Sequence, residues 1–367
     1  MVAPVLTGAR TAALLRLAGQ YRPMTPDPRP TLVTLDDIRA AAAGLAGIVI
    51  RTPLLPFGPP LPGHPLGHPR AFLKPENLQP IGAFKLRGAY HTLASLTPEE
   101  RARGVVTHSS GNHAQGVARA ARLLGIRAVI VMPSDAPAVK VAGVRADGGE
   151  IDVVGPAGED RIRRADELAA RDGLVLIPSY DDARIIAGQG TAGLEIAEQL
   201  VELGYAAGPA TVLVPIGGGG LSSGVATAVR ALRPDAAILG VEPELAADAR
   251  DSLREDRVVR WDPALTGRTS ADGMRASALG TLTFAHLRVS LDGVVTVSEE
   301  EIARAMVQAA RGARLVLEPS GATTLAAWLF HAAQLPSDGP VVALLSGGNV
   351  DPETYAERLA AGEAAGG

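Results

Sequence analysis

The chain contains no cysteine. Disulfides, thiolate nucleophiles and cysteine-ligated metals are therefore excluded. Aromatic residues make up only 3%, which argues against a base-stacking platform for nucleic acid. No stretch approaches the ~20 consecutive apolar residues with which a helix crosses a bilayer. Long blocks of one charge sign are also missing, and the net charge is -4. The electrostatic footprint of a nucleic-acid or acidic-surface binder is thus lacking. The remaining shortage is lysine, with three residues against 32 arginines.

What is present is apolar residue, 47% of 367 positions, beside 20% charged. That balance suits a globular protein with a large core, and the length suggests two domains. The first 30 residues carry Arg10, Arg16 and Arg22 before any acid, and then Pro26, Pro28 and Pro30. A disordered tail followed by a linker is expected there. A transit peptide or amphipathic anchor is the other reading, and Met24 offers an alternative start.

Beyond Leu32, short β-rich runs alternate with helical stretches. A helix is expected over Asp36–Leu45, with Thr34 and Asp36 as caps. Strands are expected at Val105–Thr107, Ala128–Met132, Ile151–Val154, Leu174–Ile177, Val212–Pro215, Ile238–Val241 and Val341–Leu345. Between them, helices are expected at Asn112–Leu124, Ala138–Ala146, Ile162–Ala170, Ala192–Leu203 and Ser222–Leu232. Two more follow, Glu299–Arg311 behind a Ser298…Glu301 capping box, and Ala322–Ala333. Strands written as continuous Val/Ile/Leu runs between helices imply an α/β fold with parallel-rich sheets covered on both faces. Ligands in such folds gather where the strands end and the next loops begin.

Three loops at strand ends are chemically unusual. His108-Ser109-Ser110-Gly111-Asn112-His113 places hydroxyls, an amide and imidazoles at a helix start, where free N–H groups favour a carboxylate or phosphate. Gly217-Gly218-Gly219-Gly220-Leu221 strips side chains from a strand-to-helix turn and lets backbone amides wrap a phosphate. It is not a P-loop, because no Gly-Lys-Ser/Thr follows. Ser346-Gly347-Gly348-Asn349 puts a hydroxyl at the end of a buried strand. Gly188-Gln189-Gly190-Thr191-Ala192-Gly193 matches the dinucleotide fingerprint, but no convincing strand precedes it, so dinucleotide binding is not expected. Lys85 stands among apolar neighbours in Ile81-Gly82-Ala83-Phe84-Lys85-Leu86-Arg87-Gly88. Unlike arginine, a desolvated lysine can shed its proton and condense with a carbonyl as a Schiff base. A packed stem with a solvated head is the plain alternative.

A Schiff-base lysine, a phosphate cradle and a carboxylate cradle describe a pyridoxal-phosphate enzyme acting on an amino acid. Phe84–Ala89, Ser109–His113, Gly217–Gly220 and Ser346–Asn349 resemble, in order, the threonine/serine dehydratase and serine racemase family. That family belongs to the fold-type-II, tryptophan-synthase-β-like pyridoxal-phosphate enzymes. The motifs span about Leu32 to Val350. The resemblance implies a large cofactor domain from residues 31–97 and 179–367 and a small domain from 98–178, after the 1–30 extension.

It also implies roles. Lys85 holds the cofactor and acts as the α-proton base. Phe84 packs beside the ring, Gly217–Gly220 and Leu221 cradle the phosphate, Asn112 meets the phenolic oxygen, and Ser346 meets the pyridine nitrogen. A serine there leaves the nitrogen largely unprotonated, a milder electron sink that suits β-elimination. Ser109, Ser110, Gly111, Asn112 and His113 hold the substrate carboxylate. Ser110 also stands where the racemase keeps a second base, and Arg161 where racemase-like members place a substrate-side arginine. Glu242, Ala246 and Asp248 resemble a Mg2+ or Ca2+ site.

The expected activity is a lyase, with L-threonine or L-serine going to a 2-oxo acid and ammonia. Serine racemisation, or dehydration of another β-hydroxy amino acid such as 3-hydroxyaspartate or phenylserine, is the alternative; a phosphate-ligand binder is the non-enzymatic one. A cytoplasmic homodimer is expected, with an amino acid as partner and neither nucleic acid nor membrane. Two departures stand out. The family's Thr-Gly-Ser-Phe-Lys reads Ile81-Gly82-Ala83-Phe84-Lys85 here, which removes two hydroxyls. The chain also closes soon after Asn349, so no C-terminal regulatory domain and no isoleucine feedback are expected.

Overall fold

The fully apolar runs form two sheets. In the computed structural model, residues 30–60, 69–109, 111–336 and 338–366 are described. The N-terminal extension with its alternative start at Met24 lies, up to residue 29, outside them. In chain order, the first elements are helix α1 (Leu35–Gly44), strands β1 (Leu55–Pro60) and β2 (Pro69–Pro75), and helices α2 (Leu86–Ala94) and α3 (Pro98–Arg103). Then come β3 (Val105–His108), α4 (Asn112–Leu124), β4 (Ala128–Pro133), α5 (Ala138–Ala146), β5 (Glu150–Val154), α6 (Gly158–Asp172) and β6 (Val175–Leu176). They are followed by α7 (Ala183–Glu202), β7 (Thr211–Pro215), α8 (Gly220–Leu232), β8 (Ala237–Pro243), α9 (Asp248–Arg254) and α10 (Pro263–Thr266). The chain continues with α11 (Thr281–Ser290), β9 (Gly293–Val297), α12 (Glu299–Gln308), α13 (Pro319–His331), β10 (Val341–Leu345) and α14 (Pro352–Ala364). Among the described residues no helix is long and apolar enough to cross a membrane.

The larger sheet has the order β1-β2-β10-β7-β8-β9, the smaller β5-β4-β3-β6. Every pairing is parallel except β1 with β2. Strand period two sorts the core. Leu73, Leu213, Val341, Ala343 and Leu345 face a cluster with α12 and α13. Their alternates Phe72, Val212, Val214, Val342 and Leu344 face one with α7 and α8. The smaller sheet is covered likewise: Val105, Ala128, Ile130 and Met132 pack toward α2 and α4, and Val106, Val129 and Val131 toward α6.

Several expectations need correction. The Pro-rich stretch around residue 60 hides an antiparallel hairpin, because Pro56 and Pro60 sit in the edge strand, where a missing N–H is tolerated. Gly293–Val297 is a further strand, and the helix expected over Glu299–Arg311 ends at Gln308 and relaxes into a π-turn at Ala309–Ala313. The dinucleotide-like glycines lie inside α7. They let helices touch: a Cβ on Gly188 would meet Gly88 Cα at 2.6 Å, and one on Gly193 would meet Val225 O at 2.6 Å.

A buried ionic cluster joins these layers. Arg87, fully buried on the first turn of α2, donates to both oxygens of Glu76 at 2.7 and 2.8 Å. It also reaches Glu195 of α7 at 2.6 and 2.9 Å, Thr191 Oγ1 at 3.0 Å and Ile50 O at 3.2 Å. Lys74 completes it, donating to Thr52 O at 2.6 Å, Gln199 at 3.1 Å and Glu195. Two cations meet two carboxylates, so charge balances while nearly every polar atom is satisfied. Removing one partner leaves a buried charge unmatched. Arg87→Met is therefore expected to destabilise the fold by about 3–5 kcal/mol, read by denaturant unfolding; a change below about 1 kcal/mol contradicts this account of the cluster.

Candidate functional site

The neighbouring parallel strands β7 and β10 end side by side in the larger sheet and β3 ends in the smaller one, and the three unusual loops begin at these strand ends. The segment carrying Lys85 is tied to the last of them. Phe84 N donates to Ser346 O at 3.1 Å, Gly348 N to Gly82 O at 2.9 Å, and Ala83 forms a bridge with Gly347. Gly82 holds φ +73°, and a Cβ there would lie 2.4 Å from Asn349 Oδ1, so only glycine suits the turn.

Lys85 caps the N-terminal end of α2. Its ammonium donates to Ser179 O at 2.8 Å and lies 5.1 Å from the Phe84 ring centroid. No carboxylate pairs with it among the described residues. The residue is partly exposed, yet its amine is surrounded by protein, and that burial lowers its pKa to about 8. At pH 7 about a tenth of such amines are neutral, against about 0.03% of ordinary lysines.

The glycine loop leads into α8 with no side-chain cap. Gly219 has φ +93° and a Cβ there would press Thr283, while one on Gly218 would overlap the Tyr180 ring at 2.2 Å. The amides are thus bare, at the positive end of a helix, and a phosphate fits that donor set. Leu221 is buried in the same apolar cluster against which Phe84 packs.

The loop at the start of α4 is less uniform than its residue types suggest. Ser109 Oγ accepts from Gly111 N at 3.2 Å. Ser110 lies outside the described residues. Asn112 starts α4; its Nδ2 donates to Glu318 Oε1, and its Oδ1 accepts from Asn349 Nδ2 at 2.9 Å. His113 turns inward. Its Nε2 lies 3.4 Å from Ile177 O, and its buried Nδ1 has no partner among the described residues. Burial, with the nearby Lys85 charge, pushes its pKa down to about 3. The ring is neutral near pH 7 and brings no positive charge to the start of α4.

Ser346 is buried at the end of β10, its Oγ 3.3 Å from Ser320 O. Arg161, on the first turns of α6, is half-buried and forms no ion pair or hydrogen bond among the described residues. Burial lowers its pKa against the pull of Asp135. His108 nearby is lowered by burial and by the Arg161 charge.

The expected cation ligands sit differently from a ready-made site. Both Glu242 oxygens accept amides at the start of α9, from Ala249 at 2.9 Å and Arg250 at 2.8 Å. Burial and Asp248 raise the Glu242 pKa well above the usual range, and burial raises Asp248 to about 7. Asp248 Oδ2 is buried without a partner among the described residues, and Ala246 closes the preceding turn. Among the described residues no group of three or more histidines or carboxylates is gathered for a metal.

Residues 179–182 read in the sequence only as a polar stretch, yet they hold the site together. Ser179 fixes Lys85, Tyr180 lies on the glycine loop, Asp181 caps α11 through Thr281, Leu282 and Thr283, and Asp182 caps α7. Two acids in a row before a helix are the available signal. Glu318 and Lys140 also belong here without a comparable signal; a lone acid and the third lysine give little reason to place them at the site.

Residues 45–347 match the family described as pyridoxal-phosphate dependent enzyme. The L-threo-3-hydroxyaspartate ammonia-lyase of Saccharomyces cerevisiae is 41% identical over 80% of this chain and 86% of its own. The serine racemase of Schizosaccharomyces pombe is 39% identical over 89% of this chain and 98% of its own. Among solved structures, a threonine deaminase from T.th. superposes with a TM-score of 0.78 at 44% identity, covering 87% of this chain and 99% of that one. The family match over most of the chain and this breadth of likeness agree: the chain belongs to the family of pyridoxal-phosphate dependent enzymes.

Proposed function

We propose that the chain is an ammonia-lyase that converts a β-hydroxy amino acid to a 2-oxo acid and ammonia. The observation that carries the reading is Lys85, an amine without a paired carboxylate among the described residues, its pKa lowered to about 8, held by the carbonyl of Ser179, whose neighbour Tyr180 lies on the glycine loop. The donor set suits pyridoxal phosphate: amides of Gly217–Gly220 for the phosphate, Phe84 beside the ring, Asn112 and the Ser346 hydroxyl for its polar edges. When bound, that cofactor supplies the electron sink for a carbanion at Cα.

The chain's own part is proton transfer and positioning. Lys85 Nζ takes the Cα proton in its neutral form. Ser109, Gly111 and Asn112 at the start of α4 orient the α-carboxylate. The β-hydroxyl leaves as water, and the released enamine hydrolyses to 2-oxo acid and ammonia. In this reading residues 31–97 and 179–367 carry the cofactor, and residues 98–178 present the carboxylate loop. Racemisation requires a proton donor on the opposite face, the role that Ser110 would have to fill.

L-threonine and L-serine are the first substrates, and 3-hydroxyaspartate is the second reading. The unpaired Arg161 guanidinium beside His108 supports it, since a second carboxylate would neutralise it. A divalent cation at Glu242, Ala246 and Asp248 is supported by the unpartnered Asp248 Oδ2. It is opposed by the amides that already occupy Glu242.

Below about pH 8 the Lys85 amine carries its proton and cannot attack a carbonyl; above it, the amine is free. Uptake of pyridoxal phosphate by cofactor-stripped protein, followed by its visible absorbance, is expected to accelerate up to about pH 8 and then level, and Lys85→Ala to give no band. A band that survives in Lys85→Ala refutes the tether. If Arg161 serves a second carboxylate, Arg161→Met should raise KM for 3-hydroxyaspartate about 10- to 100-fold and leave L-threonine nearly unchanged. Equal effects on both substrates remove that role. Millimolar Mg2+ or Ca2+ should raise the melting temperature of wild-type protein but not of Asp248→Asn; no shift in wild type removes the cation.

A further inference from the structure

Lys140 belongs to α5, beside the smaller sheet, yet its charge is used by residues on the larger-sheet side. It is 2% exposed. Its ammonium pairs with Asp272, in the turn Asp272–Met274, and with Glu318 Oε2 at 3.1 Å, at the N-cap of α13. The adjacent Val139 N donates to Asp351 Oδ1 at 3.0 Å, at the N-cap of α14. Two consecutive residues thus fasten α5 to elements of the larger sheet. The same ammonium lies directly behind the carboxylate loop: a Cβ on Gly111 would be 3.6 Å from Lys140 Nζ.

Glu318 passes the contact on. Its Oε1 accepts from Asn112 Nδ2, and a Cβ on Gly347 would lie 2.2 Å from that oxygen. Asn112 Oδ1 is meanwhile held by Asn349. Glu318, as a carboxylate, can only accept, so it dictates which end of the Asn112 amide faces which way. Burial and Asp272 raise the Glu318 pKa even with Lys140 in place. Burial would also deprotonate Lys140, but its two carboxylates outweigh burial and raise its pKa, so it remains charged. Without that cation the buried Glu318 would take up a proton and become a donor as well, and the amide orientation would be lost.

We propose that Lys140 is a positioning residue: a clasp that holds α5 against the larger-sheet side, supports the Ser109–His113 loop through Gly111, and fixes the Asn112 amide through Glu318. This rests on the reading that Asn112 and that loop meet cofactor and substrate. The bland alternative is charge burial alone, in which Lys140 merely neutralises two acids. The two make different demands on a double variant.

The test compares wild type, K140M, E318Q and K140M/E318Q, each loaded with pyridoxal phosphate. The measurements are the visible band with and without L-serine, KM and kcat for L-serine or L-threonine, and the melting temperature. The expected result is a KM about 10- to 100-fold higher in K140M, with an altered visible band. The double variant should regain melting temperature while KM and band stay altered, because Asn112 still lacks its carboxylate. E318Q, nearly isosteric, should fold and show the band change by itself, which keeps the proposal testable if K140M does not fold. Recovery of KM and band in the double variant overturns the clasp in favour of charge burial. Unchanged KM and band in E318Q overturn it too. Wild-type protein that takes up no pyridoxal phosphate refutes the parent reading instead.

Discussion

The position of the Lys85 amine depends on a buried charge two residues away. Arg87 lies two residues after Lys85, with its whole guanidinium removed from water. A buried arginine cannot neutralise itself, so each of its donors must find an acceptor. Glu76 comes from the segment after β2, Glu195 and Thr191 from α7, and the Ile50 carbonyl from the segment before β1. These groups set where the first turn of α2 can be. The helix start carrying Lys85 then has little freedom to shift or rotate. The contact of Gly88 with Gly188 enforces the same arrangement sterically, because α2 and α7 touch with no side chain between them.

The parallel sheets supply the second part of the geometry. Strands running in one direction deliver their following loops to one end, so motifs more than a hundred residues apart in sequence become neighbours. The hydrogen bonds between residues 82–84 and 346–348 close that arrangement into a short ladder. The Lys85 segment is therefore attached to the last core strand as well as to Arg87. Its amine is deep enough to lose proton affinity, and the acceptor it meets is a neutral carbonyl. A paired carboxylate would have had the opposite effect on its pKa.

The parts legible in the sequence are those governed by local rules. Apolar runs at Val105, Ala128, Val212 and Val341 read as buried strands because burial on both faces leaves no polar position. The glycine run reads as a bare anion cradle for a similarly local reason. Other features depend on partners remote in sequence. Asp181 caps a helix that starts a hundred residues later, and no local pattern states that. His113 follows Asn112 in the chain but faces Ile177, since the first turn of a helix presents successive side chains in different directions. The hairpin β1–β2 is obscured by prolines that an edge strand tolerates. Lysine rarity singles out Lys85 no more than Lys74 and Lys140, and only their three-dimensional neighbours separate the three: carboxylates around Lys74 and Lys140, a neutral carbonyl at Lys85.

That scarcity has a consequence for the surface. Lys74 and Lys140 are enclosed by carboxylates and carbonyls, and Lys85 is only partly exposed. The outer face of the folded chain therefore displays its positive charge almost wholly as guanidinium. It offers acylating reagents, carbamylating cyanate, reducing sugars and amine-directed crosslinkers scarcely any lysine to attack. The lysine with both partial access and a sizeable neutral fraction is Lys85. Amine-directed labelling of the folded chain thus falls on one lysine of the three.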